Sequence, residues 1–465
     1  MGRAGARPAR VRRRAWAAAG LALAFALALR VGLVRARYFD TDELEHLHAA
    51  LLVAHGNVPF RDFFEHHGPL FWAALAPAVS GFRSSYAAAL AGRAAVSLAW
   101  LGLLALALRR REGADRLEGA AAAVLLAFFG AFAQKSLEIR PDVPAAFLLM
   151  AAAWIGASRR KDAGAWCGIL LGLGAWLSPK IVFGAAGLLA AALWRRRASD
   201  ARAFALQAVA AAAAVAALGL WWFAARGALR PLWELYVVFN GRFHSGAAAW
   251  PATLRPSLLS DPATWLLGAA GLARWRRRPE EAGIFSGAFA GLFISPSAYP
   301  QYLLFVAPAL CVLAASALDG WVRAGRAPAL RAALAAGTVI LASAAPAAEA
   351  LSRIKQGNAL QRERWACVDA RVPPDGPVLD VWSGDSFARP HAAKIWFLPE
   401  DEQANLNLDW VVDGLIAGLR DPRTRGVIWC ESCFARLPPR FSVEARRLYA
   451  PSGCGRLWLR APEPR

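Results

Sequence analysis

Acidic and histidine side chains are concentrated in one short stretch, residues 38–72, of an otherwise apolar chain. Carboxylates and imidazoles accept protons and bind metal ions, so this stretch could supply a general base, a metal site or both. Such groups are costly beside a membrane span unless they face water or a ligand. The residues concerned are Asp40, Asp42, Glu43, Glu45, Asp62 and Glu65 with His46, His48, His55, His66 and His67. The sequence therefore predicts that the chemistry of the protein is centred on this stretch.

Apolar segments of near-membrane length surround the stretch and make up most of the chain. Hydrophobic residues account for 57% of the sequence, which is high for a soluble protein, and the mean hydropathy is positive. Apolar runs of about 20 residues predict helices that cross a bilayer. Candidate spans lie at 15–34, 88–108, 119–134, 143–158, 164–178, 180–194, 204–225, 262–273, 282–297, 301–318 and 330–348. The expected fold class is mainly α, a polytopic membrane protein with about eleven transmembrane helices.

Basic residues predict the orientation of these spans, because arginine and lysine favour the cytoplasmic side. With eleven spans, the basic clusters all fall on one side, at 3–14, 109–116, 159–161, 195–197, 274–278 and 323–331. The N-terminus is then cytoplasmic, and the acidic stretch lies outside, within a first loop that we define as residues 35–87. High arginine and low lysine content is typical of a GC-rich bacterial genome, so the bacterial inner membrane is the expected location.

The formal net charge of +21 does not indicate nucleic-acid binding. Basic residues occur in clusters between apolar runs, without the continuous stripe or interleaved aromatic residues of a nucleic-acid surface. The partner indicated by this pattern is the lipid bilayer.

The composition changes near residue 351, which divides the chain into a membrane domain, 1–350, and a C-terminal domain, 351–465. Long apolar runs stop there, and short strand-like segments alternate with turn-forming residues. The strand-like segments lie at 377–382, 426–429 and 456–459, and a short amphipathic helix is predicted over 410–419. We expect a small external domain of the α/β or α+β class.

Cysteines are concentrated in this C-terminal domain, which contains Cys367, Cys430, Cys433 and Cys454. Cys430 and Cys433 form a C-x-x-C motif, which can indicate redox activity where a β-α-β unit accompanies it. The sequence does not predict such a unit here, so structural disulfides are expected, and three pairings are open. Cys167 and Cys311 lie in apolar runs and are expected to be inert core residues.

Two motifs in the first loop resemble the GT-C superfamily of polytopic glycosyltransferases, in the branch of the protein O-mannosyltransferases and the aminoarabinose transferases of lipid A. Members of this branch (glycosyltransferase families 39 and 83) have an Asp-Glu pair just outside the first span, and here the pair is Asp42-Glu43. They then have a G-x-x-P-Y/F-x-D-x-F-E/D-x-x-x-P-L segment before the second span, which residues 56–70 match. Beyond this loop, the resemblance is limited to the general arrangement of membrane spans and connecting loops along the chain.

The resemblance implies a membrane glycosyltransferase that moves a sugar from a polyprenyl-phosphate-linked donor to an envelope acceptor, such as lipid A, a polysaccharide, another lipid or a protein. It implies that Asp42 is the general base that takes the proton of the acceptor. One carboxylate is enough because the leaving group is already a phosphate, and a single displacement would invert the anomeric centre. An alternative role for Asp42 is the N-cap of a helix expected over 43–55, and both roles can hold together.

The resemblance also implies roles for Glu43 and Glu65, which would position the acceptor or a metal ion. In the aminoarabinose transferases, the position of Glu65 resembles that of a metal-site residue paired with a histidine from a later external loop. The partner here would be His244, with His66 or His67 as a further ligand of zinc or magnesium. The alternative is a solvated, hydrogen-bonded cluster without a metal.

Glu45 and His48 lie one helical turn apart, a spacing at which side chains on a helix touch. They are expected to form a helix-stabilising pair on the surface.

Basic and tyrosine residues in the other external connections are candidates for holding the phosphate of the donor. Arginine binds phosphate through two hydrogen bonds, and lysine supplies a point charge. The candidates are Arg140, Lys180, Arg242, Tyr299 and Tyr302, with Asp62 and His67 of the first loop as further substrate contacts. The alternative for the cations is an interfacial anchor, and for the tyrosines a place in an aromatic belt.

Other function classes stay open beside the glycosyltransferase. A transporter or lipid flippase would need charged residues and broken helices near the middle of spans, and a repeat between halves of the chain. We expect neither here, although Pro296 and Pro308 interrupt late spans. A non-catalytic membrane scaffold that presents the C-terminal domain would leave the acidic loop unexplained. A transferase of the O-antigen-ligase type would be expected to have its polar loop late in the chain.

Overall fold

The computed structural model describes residues 6–109, 116–242, 249–295, 299–324, 328–381, 383–396 and 408–461. Helices make up most of it, which confirms the expected mainly α fold class. In the first half of the chain they are α1 Ala6–Ala36, α2 Thr41–Ala54, α3 Pro69–Val79, α4 Ser85–Leu108, α5 Arg116–Phe128, α6 Gly130–Lys135, α7 Asp142–Gly156, α8 Ala163–Leu177, α9 Ile181–Trp194 and α10 Ala198–Ala224.

The helical bundle continues through the middle of the chain. Its remaining helices are α11 Leu229–Leu232, α12 Asn240–Arg242, α13 Ala249–Ser260, α14 Pro262–Leu272, α15 Pro279–Ile294, α16 Leu303–Arg323 and α17 Pro328–Gln356. A π-helical segment, Trp233–Phe239, joins α11 to α12, and 3-10 turns lie at Trp275–Arg277 and Pro300–Tyr302.

Each predicted span overlaps a helix of the bundle. Within the described ranges, five helical segments are long and apolar enough to cross a membrane: Ala15–Ala36, Ser85–Leu108, Ala198–Ala224, Pro300–Arg323 and Leu330–Gln356. Shorter apolar helices accompany them, so the expected total of eleven crossings stays a prediction. The predicted span 119–134 is divided into α5 and α6 at Phe129, where the carboxylate of Asp261 accepts the N–H of Gly130 at 3.1 Å.

The packing of the bundle is closest where small residues meet. Most of α16 is buried, whereas α10 and α17 are largely exposed, as helices that contact lipid would be. A Cβ atom on Gly187 of α9 would lie 1.9 Å from the carbonyl oxygen of Gly283 on α15. Gly283 and Gly287 are four residues apart on one face of α15, the spacing of small residues that lets membrane helices approach each other.

A small sheet with flanking helices follows the bundle. Its elements are α18 Ala359–Arg371, β1 Val378–Leu379, α19 Leu408–Arg420, β2 Gly426–Ile428, α20 Glu431–Phe434, α21 Pro439–Leu448, β3 Tyr449–Cys454 and β4 Leu457–Arg460. The strand order is β1-β2-β4-β3, with β1 and β2 parallel and the other pairs antiparallel. The three predicted strands and the amphipathic helix are confirmed, and β3, α18, α20 and α21 are additional.

Two disulfides link the cysteines of this C-terminal region, Cys367–Cys454 and Cys430–Cys433. This selects one of the three pairings that the sequence left open. The first bond joins α18 to β3 across a sequence separation of 87 residues, whereas the second closes the C-x-x-C motif. Cys167 and Cys311 are free and buried, as predicted.

The C-terminal region packs directly on the first loop. The side-chain amide of Gln361 on α18 accepts the N–H of Phe39 at 2.9 Å and donates to the carbonyl oxygen of Phe39 at 3.0 Å. Farther along the loop, the N–H of Phe64 donates to the carbonyl oxygen of Lys394 at 2.9 Å. The acidic stretch is therefore enclosed between the bundle and the sheet.

Candidate active site

α2 begins with a capping box that orders the acidic residues at its start. Asp40 is the N-cap, and its side chain accepts the N–H of Asp42 at 3.1 Å. The carboxylate of Glu43 reaches back to accept the N–H of Asp40 at 3.0 Å, so both backbone donors are satisfied. The alternative in which Asp42 caps the helix is therefore wrong. The carboxylate of Asp42 is left for other partners, and 31% of its side chain is exposed.

Arg140 is the partner of Asp42. Its guanidinium, on the connection between α6 and α7, forms an ion pair with Asp42 and another with Asp40 at 3.2 Å. A third pair joins it to Glu138 at 2.7 Å. Burial by itself would lower the pKa of Arg140, but the charges of Asp42, Glu138 and Asp40 outweigh it and raise the pKa well above its ordinary value. Arg140 therefore stays charged, and this charge is balanced by three carboxylates.

Glu138 is fully buried, and its hydrogen bonds hold the connection between α6 and α7 in place. It accepts hydrogen bonds from Lys135 at 2.8 Å and from Arg37, next to the end of α1, at 2.7 Å. Burial alone would raise the pKa of Glu138, but the charges of Arg140, Lys135 and Arg37 lower it to about 2. Glu138 is thus ionised at neutral pH and fixes the orientation of Arg140.

Glu43 occupies a different environment from Asp42, although the two are adjacent in sequence. Its side chain is buried and forms a two-point ion pair with Arg93 of α4, at 2.8 Å to Nε and 2.7 Å to Nη2. One of its oxygens also accepts the N–H of Ile139 at 3.3 Å. The structure therefore places Glu43 inside the scaffold, where it links α2, α4 and the connection that carries Arg140.

Arg93 was not identified from the sequence, and it is central to the position of the loop. Besides Glu43, it donates to the carbonyl oxygens of Arg37 at 2.8 Å and Tyr38 at 2.9 Å, and lies 3.4 Å from the ring centre of Phe39. A lone arginine in an apolar span is costly without partners, and this rule could have found it. Arg30 of α1, also buried, bonds to Ser136 at 2.8 Å. Arg30 and Arg93 lie toward the ends of the predicted spans 15–34 and 88–108, and not near their middle.

Lys180 lies on the turn between α8 and α9 and has one carboxylate partner. Its Nζ is 3.1 Å from Asp142, which also accepts a hydrogen bond from the hydroxyl of Ser178 at 3.1 Å. The Nζ lies 4.9 Å from the ring centre of Tyr302, whose hydroxyl is 2.8 Å from that of Ser295. The Lys180 side chain is 20% exposed. The structure thus brings together two of the residues predicted to hold phosphate, Lys180 and Tyr302.

Glutamate and histidine side chains of the first loop form a compact cluster beside these cations. Two overlapping sets have ligand atoms that all lie within 4.8 Å of one another: Glu45, His66 and His67, and His46, Glu65 and His67. The Nδ1 of His67 is 3.2 Å from Glu65 and 4.0 Å from Glu45. Its ring centre lies 4.1 Å from that of His66 and 4.7 Å from that of His46. Such a cluster has the donor types and proximity of a divalent-metal site.

Hydrogen bonds fix which nitrogen of each histidine carries the proton. The side-chain NH₂ of Asn240 donates to the carbonyl oxygens of His66 and Tyr236, so its oxygen accepts the Nδ1–H of His66 at 3.1 Å. The Nδ1–H of His67 likewise donates to Glu65. Both rings therefore have their lone pair on Nε2, and a second partner on Nδ1 is typical of metal-binding histidines. His46 differs, because its Nδ1 accepts the N–H of Trp72 at 3.1 Å, which places its proton on Nε2.

Two of these histidines, His46 and His67, are held in the neutral form. Burial lowers the pKa of His46 and His67 well below the ordinary value, and neighbouring positive charges lower it further. Those charges include Arg140 and Lys180 for both residues. Neutral imidazole is the form that binds a metal ion.

Glu45 and His48 are both buried, so the expectation of a surface pair is wrong. The Nδ1–H of His48 donates to the carbonyl oxygen of Phe387 at 2.7 Å, and its ring packs against Trp396 at 4.2 Å. The C-terminal region covers this face of α2, a contact between residues more than 300 positions apart that helical spacing does not reveal.

The remaining candidates have other positions. Asp62 accepts the N–H of Val58 at 2.7 Å and pairs with Arg61 at 2.8 Å, so it stabilises a turn of the first loop. Arg242 is exposed at the end of α12, and Tyr299 is half-buried before the last 3-10 turn. The candidate metal ligand His244 lies outside the described residues.

No protein-family model and no curated protein sequence matches the chain. Solved structures do match. ArnT from Cupriavidus metallidurans bound to undecaprenyl phosphate superposes with a TM-score of 0.64 at 14% identity, over 90% of this chain and 94% of that chain. The apo state of the same protein gives a TM-score of 0.64 at 16% identity over the same shares. The Archaeoglobus fulgidus oligosaccharyltransferase tethered with an acceptor peptide gives 0.51 at 16% identity, over 95% of this chain and 74% of that chain.

These similarities extend over nearly the whole chain and are not limited to the first loop. The chain therefore has the fold of the GT-C membrane glycosyltransferases, as the two loop motifs led us to expect. At sequence identities of 14% and 16%, these structural similarities show a shared fold.

Proposed function

We propose that this protein is a membrane glycosyltransferase that transfers a sugar from a polyprenyl-phosphate-linked donor to an envelope acceptor, with Asp42 as the general base. The observation that carries the proposal is the position of Asp42. It is a partly exposed carboxylate, ion-paired with Arg140, in a loop where the neighbouring Glu43 is fully buried. The solved ArnT structure, with undecaprenyl phosphate bound, supports the class of donor.

Asp42 would take the proton from the acceptor as its oxygen or nitrogen attacks the anomeric carbon. The guanidinium of Arg140 contacts this carboxylate and fixes its orientation. Arg140 would act here as a positioning residue, because its charge is already balanced by Asp42, Asp40 and Glu138. Glu43 would also be a positioning residue, since Arg93 engages both of its oxygens.

Lys180 is the better candidate for the phosphate of the donor. Among the described residues, its ammonium group pairs with one carboxylate, that of Asp142, and its side chain is partly exposed beside Tyr302. Negative charge develops on the phosphate as the bond to the sugar breaks, and a fixed cation stabilises it at that moment. One displacement without a covalent intermediate would invert the anomeric centre.

The residues of the histidine cluster fit a divalent metal ion. His67 would bind it together with either His66 and Glu45 or His46 and Glu65, each residue providing one ligand atom. Such an ion, when bound, would supply positive charge close to Lys180 and Arg140. Zinc suits this set of nitrogen and oxygen ligands better than magnesium, which prefers oxygen.

Metal analysis of the purified protein tests this part of the proposal. We expect zinc bound to the wild type after dialysis against metal-free buffer, and its loss from the His66→Ala/His67→Ala variant. His55→Ala is the matched control, because His55 lies exposed in the same loop. Absence of metal from the wild type after purification in the presence of zinc would contradict the proposed metal site. It would not affect the role proposed for Asp42.

The function is tested by mass spectrometry of glycolipids and envelope polysaccharides from a strain that lacks the gene. The strain is complemented with wild type, Asp42→Asn or Asp413→Asn at matched membrane levels. Asp413 is an exposed carboxylate of α19, with 65% of its side chain accessible. We expect one glycan to lack a sugar in the deletion strain, and wild type and Asp413→Asn to restore it.

Asp42→Asn should fail to restore the glycan although the protein reaches the membrane. The mass difference would identify the sugar and the acceptor. If Asp42→Asn complements as well as wild type, Asp42 is not the general base. If deletion changes no glycan, the transporter and scaffold alternatives replace the transferase.

A further inference from the structure

The disulfide Cys430–Cys433 lies at the end of an inner strand of the sheet. β2 ends at Ile428, Trp429 follows, and Cys430 is the residue that precedes α20. β2 is parallel to β1, and α19 lies between them in the chain, so the β-α-β unit that the sequence did not predict is present. A C-x-x-C that follows such a unit is a typical setting for thiol–disulfide exchange.

Each cysteine of the pair is anchored by contacts other than the disulfide. On the side of Cys430, the N–H of Trp429 donates to the carbonyl oxygen of Arg456 at 2.7 Å, and the Trp429 ring stacks on Trp458 at 4.1 Å. On the side of Cys433, the neighbouring Phe434 is buried and its ring centre lies 4.9 Å from that of Phe441. The two sulfur atoms would therefore stay adjacent after reduction, so the bond can form again without refolding.

The surroundings of Cys430 stabilise a thiolate. Its Sγ accepts the N–H of Cys433 at 3.3 Å, and the hydroxyl of Ser432 lies 3.5 Å away. Donors of this kind favour the ionised thiol, and an easily ionised thiol is the better leaving group in exchange. Cys430 is 6% exposed, whereas Cys433, which lies on α20 next to the exposed Ser432, is half-buried. The sulfur atom of Cys433 is therefore easier for an attacking thiolate to reach, whereas the sulfur atom of Cys430 is better stabilised as a leaving thiolate.

We propose that Cys430–Cys433 is a thiol–disulfide exchange site that reacts with an external dithiol, and that Cys367–Cys454 is a structural bond. The thiolate of the dithiol attacks Sγ of Cys433, a new S–S bond forms, and Cys430 leaves as a thiolate. The second thiol of the partner then attacks the mixed disulfide and releases Cys433. The protein gains two electrons and two protons, and the partner leaves as a disulfide. This site is independent of the proposed transferase chemistry.

The structural role of Cys367–Cys454 follows from the length of chain that it closes. It spans 87 residues and joins α18 to β3, whereas Cys430–Cys433 spans 3 residues. In the chain-entropy description a long loop contributes more to stability than a short one. Reduction of Cys430–Cys433 should therefore leave the protein folded.

The test is a titration of the purified full-length protein in detergent with dithiothreitol at pH 7. Samples are quenched, alkylated with N-ethylmaleimide and digested, and the four cysteines are quantified by peptide mass spectrometry. We expect Cys430 and Cys433 to be labelled together at a dithiothreitol concentration at least about tenfold lower than Cys367 and Cys454 require. Removal of the reductant under mild oxidation should restore the bond.

Single variants test the direction of attack. With oxidised glutathione as the probe, Cys430→Ser should form a mixed disulfide at Cys433 faster than Cys433→Ser forms one at Cys430. The unfolding temperature of Cys430→Ser/Cys433→Ser should stay close to that of wild type. The proposal is overturned if both disulfides are reduced at the same dithiothreitol concentration, or if Cys430–Cys433 is reduced only after the protein unfolds.

Discussion

Glu43 and Arg93 are the buried ion pair on which the position of Asp42 depends. Removal of one partner leaves an uncompensated buried charge, which typically costs about 3–5 kcal/mol. We therefore expect Glu43→Ala and Arg93→Ala each to lower the unfolding temperature strongly in detergent. The Glu43→Ala/Arg93→Ala double variant should lose less than the sum of the two, because it removes both charges.

The control for this pair is an exposed one. Asp413 and Arg440 lie 3.1 Å apart with 65% and 48% of their side chains accessible, and such pairs contribute roughly 0–1 kcal/mol. Asp413→Ala should change the unfolding temperature little. If Glu43→Ala costs no more than Asp413→Ala, the buried pair does not hold the loop.

Asp385 of the C-terminal region makes stability depend on pH. It is buried, and its nearest cation, Arg364, is 3.8 Å away. Burial, reinforced by the charge of Asp380, raises the pKa of Asp385 to about 7. The unfolded chain has a pKa of about 3.9 at this residue. The folded state therefore binds more protons between these values, and the free energy of unfolding falls as the pH rises from about 4 to about 7.

Asp385→Asn removes this titration. The variant should unfold at a higher temperature than wild type at pH 8, and the difference should shrink as the pH approaches 4. Unfolding temperatures across this range provide the measurement, with Asp409→Asn as an exposed control. A difference between Asp385→Asn and wild type that does not vary with pH would show that Asp385 keeps an ordinary pKa.

At the scale of elements, the contact between α9 and α15 depends on glycine. A Cβ atom on Gly187 would lie 1.9 Å from a backbone oxygen of α15, which cannot move without separating the helices. We expect Gly187→Ala to destabilise the protein by about 1–3 kcal/mol, the usual cost of overpacking. Gly337→Ala on α17 is the control, because a Cβ atom there meets nothing within 4 Å. Equal unfolding temperatures for the two variants would refute the close approach.

The same elements explain what the sequence predicts well and what it does not. Helices α4 and α16 each contain a membrane-length window of high mean hydropathy, so hydropathy finds them without knowledge of their neighbours. Asp42 is prominent because it is a charge at the end of such a segment. The roles of Arg93 and His48 depend on residues far away in the sequence: Glu43 lies 50 positions from Arg93, and Phe387 lies 339 from His48. Local patterns carry no information about such contacts.

At the scale of the whole molecule, the C-terminal region forms one wall of the candidate active site. It contacts the first loop at Phe39, His48 and Phe64, which lie before, within and after α2. It also contacts the start of α4, where Asp369 accepts the N–H and the hydroxyl of Ser85 at 2.8 and 2.6 Å. The order of the acidic loop is therefore a property of both parts of the chain together.

Gln361 offers the most direct test of this dependence. Its side chain satisfies both the N–H and the carbonyl oxygen of Phe39, and it is 1% exposed. Gln361→Ala leaves two backbone groups of the loop without a partner, and each unsatisfied group costs about 1–3 kcal/mol. We expect faster amide hydrogen exchange in peptides that cover the start of α2, and weaker transferase activity. Glu363→Ala, an exposed position on the same helix, should change neither. Unchanged exchange in Gln361→Ala would mean that the bundle alone orders the loop, and that the C-terminal region has no part in holding Asp42.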